Sequence, residues 1–334
     1  MNATAPPTAS PTAALRVDDL TVTYGRGPDR LRAVDGVSLE IPHGQTLGII
    51  GESGSGKSTL AMAVAGLTPI SAGRIRIASR GEALADAPPS VGRDGQVQMV
   101  FQDPMLALSP SLPLWKSVAE PLSPGWRGIP RRFKDTAVDL LAEVGLPADM
   151  AERRPAQLSG GQRQRVTIAR AVAARAPVVM CDEPVAALDV SLQAGVLALL
   201  DNVRAEHDLT YLFISHDMSS IARIADQVGV MYLGRLIEVG PVRQVLREPR
   251  HPYTQALISA IPRVSLRARR QTRMLLPGEI PDARRPPSGC RFRTRCRFAQ
   301  KRCATEAPTL DHANDEHATA CHFWRDIATT TPEA

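Results

Sequence analysis

Eight consecutive residues constrain this chain more than anything else in it: Gly51, Glu52, Ser53, Gly54, Ser55, Gly56, Lys57 and Ser58. An apolar run over 46–50 leads in and reads as a strand; 57–66 leads out and reads as a helix. Glycines at the first and sixth positions let backbone N–H groups turn inward, and the helix behind them adds its N-terminal dipole. The product is a cradle for phosphate oxygens. Lys57 is placed to reach β and γ phosphates, and Ser58 to offer a hydroxyl to Mg²⁺.

The rest of the pattern is consistent with a sheet to carry such a loop. Strands are expected at 15–24, 34–41, 46–50, 74–77, 97–101, 178–182, 211–215 and 228–233, and helices at 57–66, 160–176, 190–206 and 218–226. Alternation of strand and helix in the second half implies parallel crossovers and an α/β layered core. A Pro-rich interval over 104–130, then a helical stretch to about residue 146, reads as an inserted helical subdomain. After Gly240 the composition turns to Pro, Arg and Cys.

The 334 residues suffice for about two domains, and no apolar run nears the roughly 18 residues of a membrane span. The net charge of +6 is local: 263–302 carries 13 Lys or Arg against Glu279 and Asp282, so the remainder is mildly acidic. That pattern argues for one local basic module and against a basic surface running over the whole protein. Residues 1–14 lack the basic start and apolar block of a secretory signal and read as a disordered tail. Five cysteines without such a signal fit a reducing compartment.

A nucleotide hydrolase also needs acid at a strand end. The run 177–181 closes on Asp182 and Glu183, which puts Asp182 beside Mg²⁺ and Glu183 nearer an attacking water. Leu158-Ser159-Gly160-Gly161-Gln162 heads a long helix and forms a second anion-binding terminus. With Tyr24, Gln102, Ala187-Leu188-Asp189 and His216 in the same order, the sequence resembles the ATP-binding cassette family over 15–324.

The resemblance implies a P-loop, RecA-like ATPase core over 15–245 with an antiparallel β subdomain and a helical subdomain inserted at about 104–165. It implies two cassettes facing head to tail, each ATP lying between the P-loop of one and the LSGGQ segment of the other. By motif, ATP would be bound by Tyr24, Gly51, Ser53, Gly54, Ser55, Gly56, Lys57, Ser58, Thr59, Gln102 and Asp182, with Mg²⁺ on Ser58, Gln102 and Asp182. Glu183 and His216 would be catalytic, Ser159, Gly160, Gly161 and Gln162 would complete the opposite site, and Asp189 would be the D-loop carboxylate. The chain departs from the family at Ala186, where a Ser is usual; both ATP sites are still expected to hydrolyse.

Residues 246–334 look like the C-terminal extension of the dipeptide and oligopeptide importer ATPases, through His251-Pro252-Tyr253-Thr254-Gln255-Ala256-Leu257, Leu276-Pro277-Gly278-Glu279-Ile280-Pro281 and Gly289-Cys290-Arg291-Phe292. Nickel and glutathione importers are close relatives and stay open as alternatives, as does a soluble cassette protein outside transport. The expected partners are two membrane permease subunits, a second ATPase subunit (a paralogue or another copy) and an extracytoplasmic peptide-binding protein, with no nucleic acid. The expected location is the cytoplasmic face of the cell membrane, peripherally bound.

Cys290, Cys296, Cys303 and Cys321 are separated by 5, 6 and 17 residues, without the C-x₂-C hooks common in zinc sites. The resemblance implies a 4Fe–4S cluster on these four; zinc and free thiols remain alternatives. Arg291, Arg293, Arg295, Arg297 and Arg302 are then expected to offset the cluster's negative charge, and Cys181 to lie buried in its strand.

Overall fold

Alternation of side chains along the strands sorts the chain into two cores on opposite faces of one sheet. In the computed structural model, which describes residues 13–27, 29–79, 81–85, 95–123, 128–261, 274, 276–310 and 316–327, the main sheet has seven strands. They are β3 (Thr46–Ile50), β5 (Val97–Val100), β6 (Val178–Asp182), β7 (Thr210–Ser215), β8 (Gln227–Tyr232), β9 (Arg235–Pro241) and β10 (Ala318–Thr319), in the order β10-β9-β8-β3-β7-β6-β5. From β8 to β5 all neighbours are parallel, as the strand–helix alternation required. The expected 1–14 tail falls almost wholly outside the described residues.

Met180, Leu212 and Ile214 face one core; there they meet Leu60 and Val64 of α1 (Lys57–Val64) and a separate antiparallel sheet. That sheet is β2 (Leu31–Pro42), β1 (Ala13–Tyr24) and β4 (Ala72–Ile77), in that order. Cys181, Tyr211 and Phe213 face the other core, with α4 (Gly160–Ala173), α5 (Val190–His207) and α6 (Met218–Ile224). The helical layer adds α2 (Leu114–Ala119) and α3 (Lys134–Glu143) against α4, where Trp115, Val118, Leu141 and Val166 are all buried. Cys181 is fully buried, as expected, and burial pushes its thiol far up.

Strand β9, absent from the sequence expectation, returns antiparallel to β8 through Leu233 and Gly234, both at positive φ (43° and 81°). Such a tight turn needs left-handed backbone at both central positions, and Leu is an unusual occupant of one. After β9 the chain forms α7 (Val242–Arg247) and α8 (Pro252–Ser259), later α9 (Lys301–Thr305), and closes through β10 on the edge of β9. Among the described residues no helix is long and apolar enough to cross a membrane.

Candidate functional site

Parallel strands gather their C-terminal ends on one edge of the sheet, the usual place for ligands in such folds. Registers Ile50 with Ser215, Ile214 with Asp182 and Cys181 with Val100 bring four strand ends level. Gly51, His216 and Glu183 follow those ends directly and Gln102 stands two residues past Val100, so four motifs far apart in the chain share one rim.

The loop after β3 is set by contact. A Cβ on Gly51 would lie 2.2 Å from the Met231 carbonyl oxygen, and one on Gly56, at φ 105°, 2.1 Å from that of Ala33, so both positions accept only glycine. Gly56 caps α1, whose first residue is Lys57. The buried Lys57 Nζ donates to the carbonyls of Gly51 (2.8 Å) and Glu52 (2.9 Å). Burial lowers its pKa, against the charges of Glu183, Asp182 and Glu52.

Ser58 Oγ donates to Asp182 Oδ1 at 3.1 Å, joining the helix start to the tip of β6. Burial raises the Asp182 pKa above the usual carboxylate range and the charge of Glu183 adds to it, outweighing the Ser58 hydrogen bond and Lys57. A divalent cation at this hydroxyl–carboxylate pair would favour the ionised form of Asp182, so the donor set suits Mg²⁺. Next along the chain, Glu183 stands at φ 47°, a strained conformation for a non-glycine residue. Its Oε2 lies 3.0 Å from His216 Nδ1.

Thus the structure joins Gly51–Ser58, Asp182, Glu183 and His216 in one cluster. Tyr24 ends β1 and is exposed; Gln102 is also exposed, just past β5. The signature segment is separate: Ser159 Oγ accepts from Gln162 N (3.3 Å) while Gln162 Oε1 accepts from Ser159 N (2.9 Å), a reciprocal cap on α4. Asp189 caps α5 similarly, taking Leu192 N at 3.0 Å and the Ser191 hydroxyl at 2.6 Å. The two caps adjoin, since Leu188 and Leu192 side chains lie 3.7 and 3.5 Å from where Cβ atoms on Gly160 and Gly161 would stand.

Cys290, Cys296, Cys303 and Cys321 line one cavity of about 20 Å³, beside His251, Phe292 and His322. Burial raises the thiols of Cys290 to about 11 and Cys321 to about 12, and raises that of Cys296. Among the described residues, only Glu143, Glu206 and His207 form a trio of potential ligand atoms mutually within 4.8 Å. No three of these sulfurs therefore approach so closely, whereas tetrahedral zinc with Zn–S near 2.3 Å needs sulfurs about 3.8 Å apart.

The arginines around it each have a partner other than the cysteines. Arg291 binds Asp35 and the Leu233 carbonyl, Arg293 the Ser288 carbonyl, Arg295 binds Glu52 and Arg302 binds Glu306, while Arg297 lies over the Phe298 ring. Two of the five, Arg291 and Arg295, are thus paired with carboxylates of the main body. Glu52, Asp35 and Arg295 were not singled out by sequence as a group; only their side-chain types, hundreds of positions apart, could have hinted at it.

A phosphate cradle, an acidic strand tip, a Glu–His pair and a capped helix presented elsewhere together define a nucleotide hydrolase of the P-loop class. A family model described as "ABC transporter" matches residues 34–186, and one described as "Oligopeptide/dipeptide transporter, C-terminal region" matches 237–303. The chain is 41% identical to the oligopeptide transport ATP-binding protein AppF of Bacillus subtilis (strain 168), over 88% of this chain and 90% of that protein. It is 42% identical to OppF of Salmonella typhimurium (89% and 90%), and 40% identical to the dipeptide transport ATP-binding protein DppF of Haemophilus influenzae (88% and 90%).

Among solved structures it is similar to the dimeric, post-hydrolysis ATP-binding cassette MJ0796 bound to ADP and Pi, with TM-score 0.57 and 28% identity over 69% of this chain and 99% of that one. It is also similar to cbiO1 of Clostridium perfringens, part of the transporter complex cbiONQ, with TM-score 0.59 and 28% identity over 70% and 90%. The chain belongs to the ATP-binding cassette ATPases, in the branch of the oligopeptide and dipeptide transport ATP-binding proteins.

Proposed function

We propose that this chain is the ATP-hydrolysing subunit of an importer that takes up di- or oligopeptides, and that it works at the cytoplasmic face of the membrane on two permease subunits. The juxtaposition of Glu183 and His216 over the Lys57–Ser58–Asp182 cluster carries this reading. Lys57 and the loop N–H groups bind the β and γ phosphates and Tyr24 stacks on the base; Ser58, Asp182 and Gln102 would hold Mg²⁺, which would supply positive charge against the phosphates. Glu183 orients and deprotonates the attacking water while His216 fixes the Glu183 carboxylate and reaches toward the γ-phosphate.

Ser159–Gln162 of a second cassette, a paralogue or another copy, closes over the same nucleotide. ATP touching both cassettes favours the closed pair over the open one, which is the differential affinity that converts binding into motion. An extracytoplasmic peptide-binding protein delivers the cargo. Peptide rather than nickel or glutathione is favoured because the AppF, OppF and DppF likenesses span nearly the whole chain.

In the assembled transporter, Glu183→Gln should retain ATP binding and lose ATP turnover and labelled-peptide uptake at least 100-fold. Unchanged turnover refutes the role of Glu183. Uptake of nickel or glutathione, with none of peptide, refutes the cargo.

Cys290, Cys296, Cys303 and Cys321 hold a 4Fe–4S cluster in this reading, supported by four soft donors lining one cavity. Iron and sulfide assays on anaerobically purified protein test it; stoichiometric zinc, or no metal, refutes it.

A further inference from the structure

Glu52, the second residue of the phosphate loop, is gripped from the far end of the chain. Its carboxylate accepts two hydrogen bonds from Arg295, Nη1 to Oε2 at 2.7 Å and Nη2 to Oε1 at 3.2 Å, across 243 positions of sequence. Its backbone N–H donates to the Tyr253 hydroxyl at 2.8 Å. Both partners are buried, Arg295 to 7% and Tyr253 to 0% exposure. Tyr253 packs on Tyr232 of β8 and on Phe292, with ring centroids 4.9 and 5.5 Å apart, so neither grip is a loose surface contact. From inside the loop, the Glu52 carbonyl takes Lys57 Nζ and also Ser55 N (3.2 Å). The turn that shapes the cradle is therefore fixed from both sides.

A carboxylate inside an anion-binding loop is otherwise a liability, because it repels the phosphates the loop must attract. A bidentate guanidinium both neutralises it and fixes its direction. We infer that Arg295 and Tyr253 are positioning residues for the nucleotide: through Glu52 they hold the phosphate loop in its binding shape and cancel its one negative charge. They touch no phosphate themselves. The C-terminal region thereby sets the affinity of the ATP site, which a loop held only by its own backbone would leave partly populated in non-binding shapes.

The inference rests on the loop binding nucleotide, and binding of trinitrophenyl-ATP with Mg²⁺ by the unaltered full chain checks that separately. Arg295→Met should weaken that binding about ten-fold, the size of one charge-assisted pair, and Tyr253→Phe about three-fold. Adding Glu52→Gln to Arg295→Met should restore most of the affinity, since the unpaired charge is gone; a merely structural role for Arg295 gives no such rescue. In turnover assays KM should rise more than kcat falls. Arg302→Met, which breaks only a surface pair with Glu306, should leave binding as it was. Unaltered affinity in both Arg295→Met and Tyr253→Phe, with only a lower melting temperature, overturns the inference, as does failure of Glu52→Gln to rescue. Should Arg295→Met not fold, Tyr253→Phe alone decides, because it removes one oxygen and keeps the ring.

Discussion

Glu183 holds its carboxylate at the reaction centre from a left-handed backbone, φ 47°, that costs a non-glycine residue about 1 kcal/mol. Stability is given up there for direction, since the position turns the side chain off the end of β6 toward His216. Glu183→Gly should therefore be at least as stable in thermal unfolding as Glu183→Ala, both abolishing ATP turnover, whereas Glu183→Gln should leave the melting temperature near that of the unaltered chain. A Glu183→Gly variant clearly less stable than Glu183→Ala would show the backbone there to be unstrained. At this scale the sequence was most legible: Lys57, Ser58 and Asp182 stand in the cluster their motifs implied. Glu52 was not, because its importance comes from Arg295 and Tyr253, and no local pattern connects residues so distant.

Among the elements, strands buried along nearly their whole length and helices with side-chain caps were readable nearly to their ends. Helix α1 stops at Val64, two residues short of expectation, as Gly66 takes φ 73° and breaks the run. Strand β9 escaped because its turn lacks the Asn-Gly or Asp-Gly signal, yet it supplies Arg235 to one of the main tertiary junctions. Asp35 on β2 accepts from Arg235 at 2.9 and 3.1 Å, from Arg32 at 3.4 Å and from Arg291. Burial pulls the Asp35 pKa up, but Arg291, Arg235 and Arg32 together pull it further down, so it lies below the ordinary carboxylate value.

A lowered folded pKa means stability that is present above the unfolded value, near 3.9, and lost as pH falls through the folded one. Asp35→Asn should thus destabilise by about 2–3 kcal/mol at pH 7, less than a fully buried pair because Arg235 and Arg32 are half exposed. Thermal unfolding across pH should show that gap constant from pH 8 to about 5 and closing below about 4. A gap that widens in acid would mean the ion pairs are not its source.

For the whole molecule, the C-terminal region is the part whose composition was plain and whose purpose was not. Its arginines looked like counter-charges for sulfur; the structure sends Arg291 to β2 and Arg295 to the phosphate loop. Both stand in the short segment between Cys290 and Cys296, with Phe292, 2% exposed, packed among Tyr232, Tyr253 and His251. A group bound by the four cysteines would pin that segment at both ends, and through it the ATP site. Cys303→Ser should then lose bound iron, lower the melting temperature and weaken Mg–trinitrophenyl-ATP binding several-fold, the same direction as Arg295→Met. Cys181→Ala, in the core of β6, should cost stability by leaving a cavity and keep both iron and nucleotide affinity. Full nucleotide affinity in iron-free Cys303→Ser would mean that Phe292 packing alone suffices to seat Arg295, and would detach the cysteine centre from the chemistry at the loop.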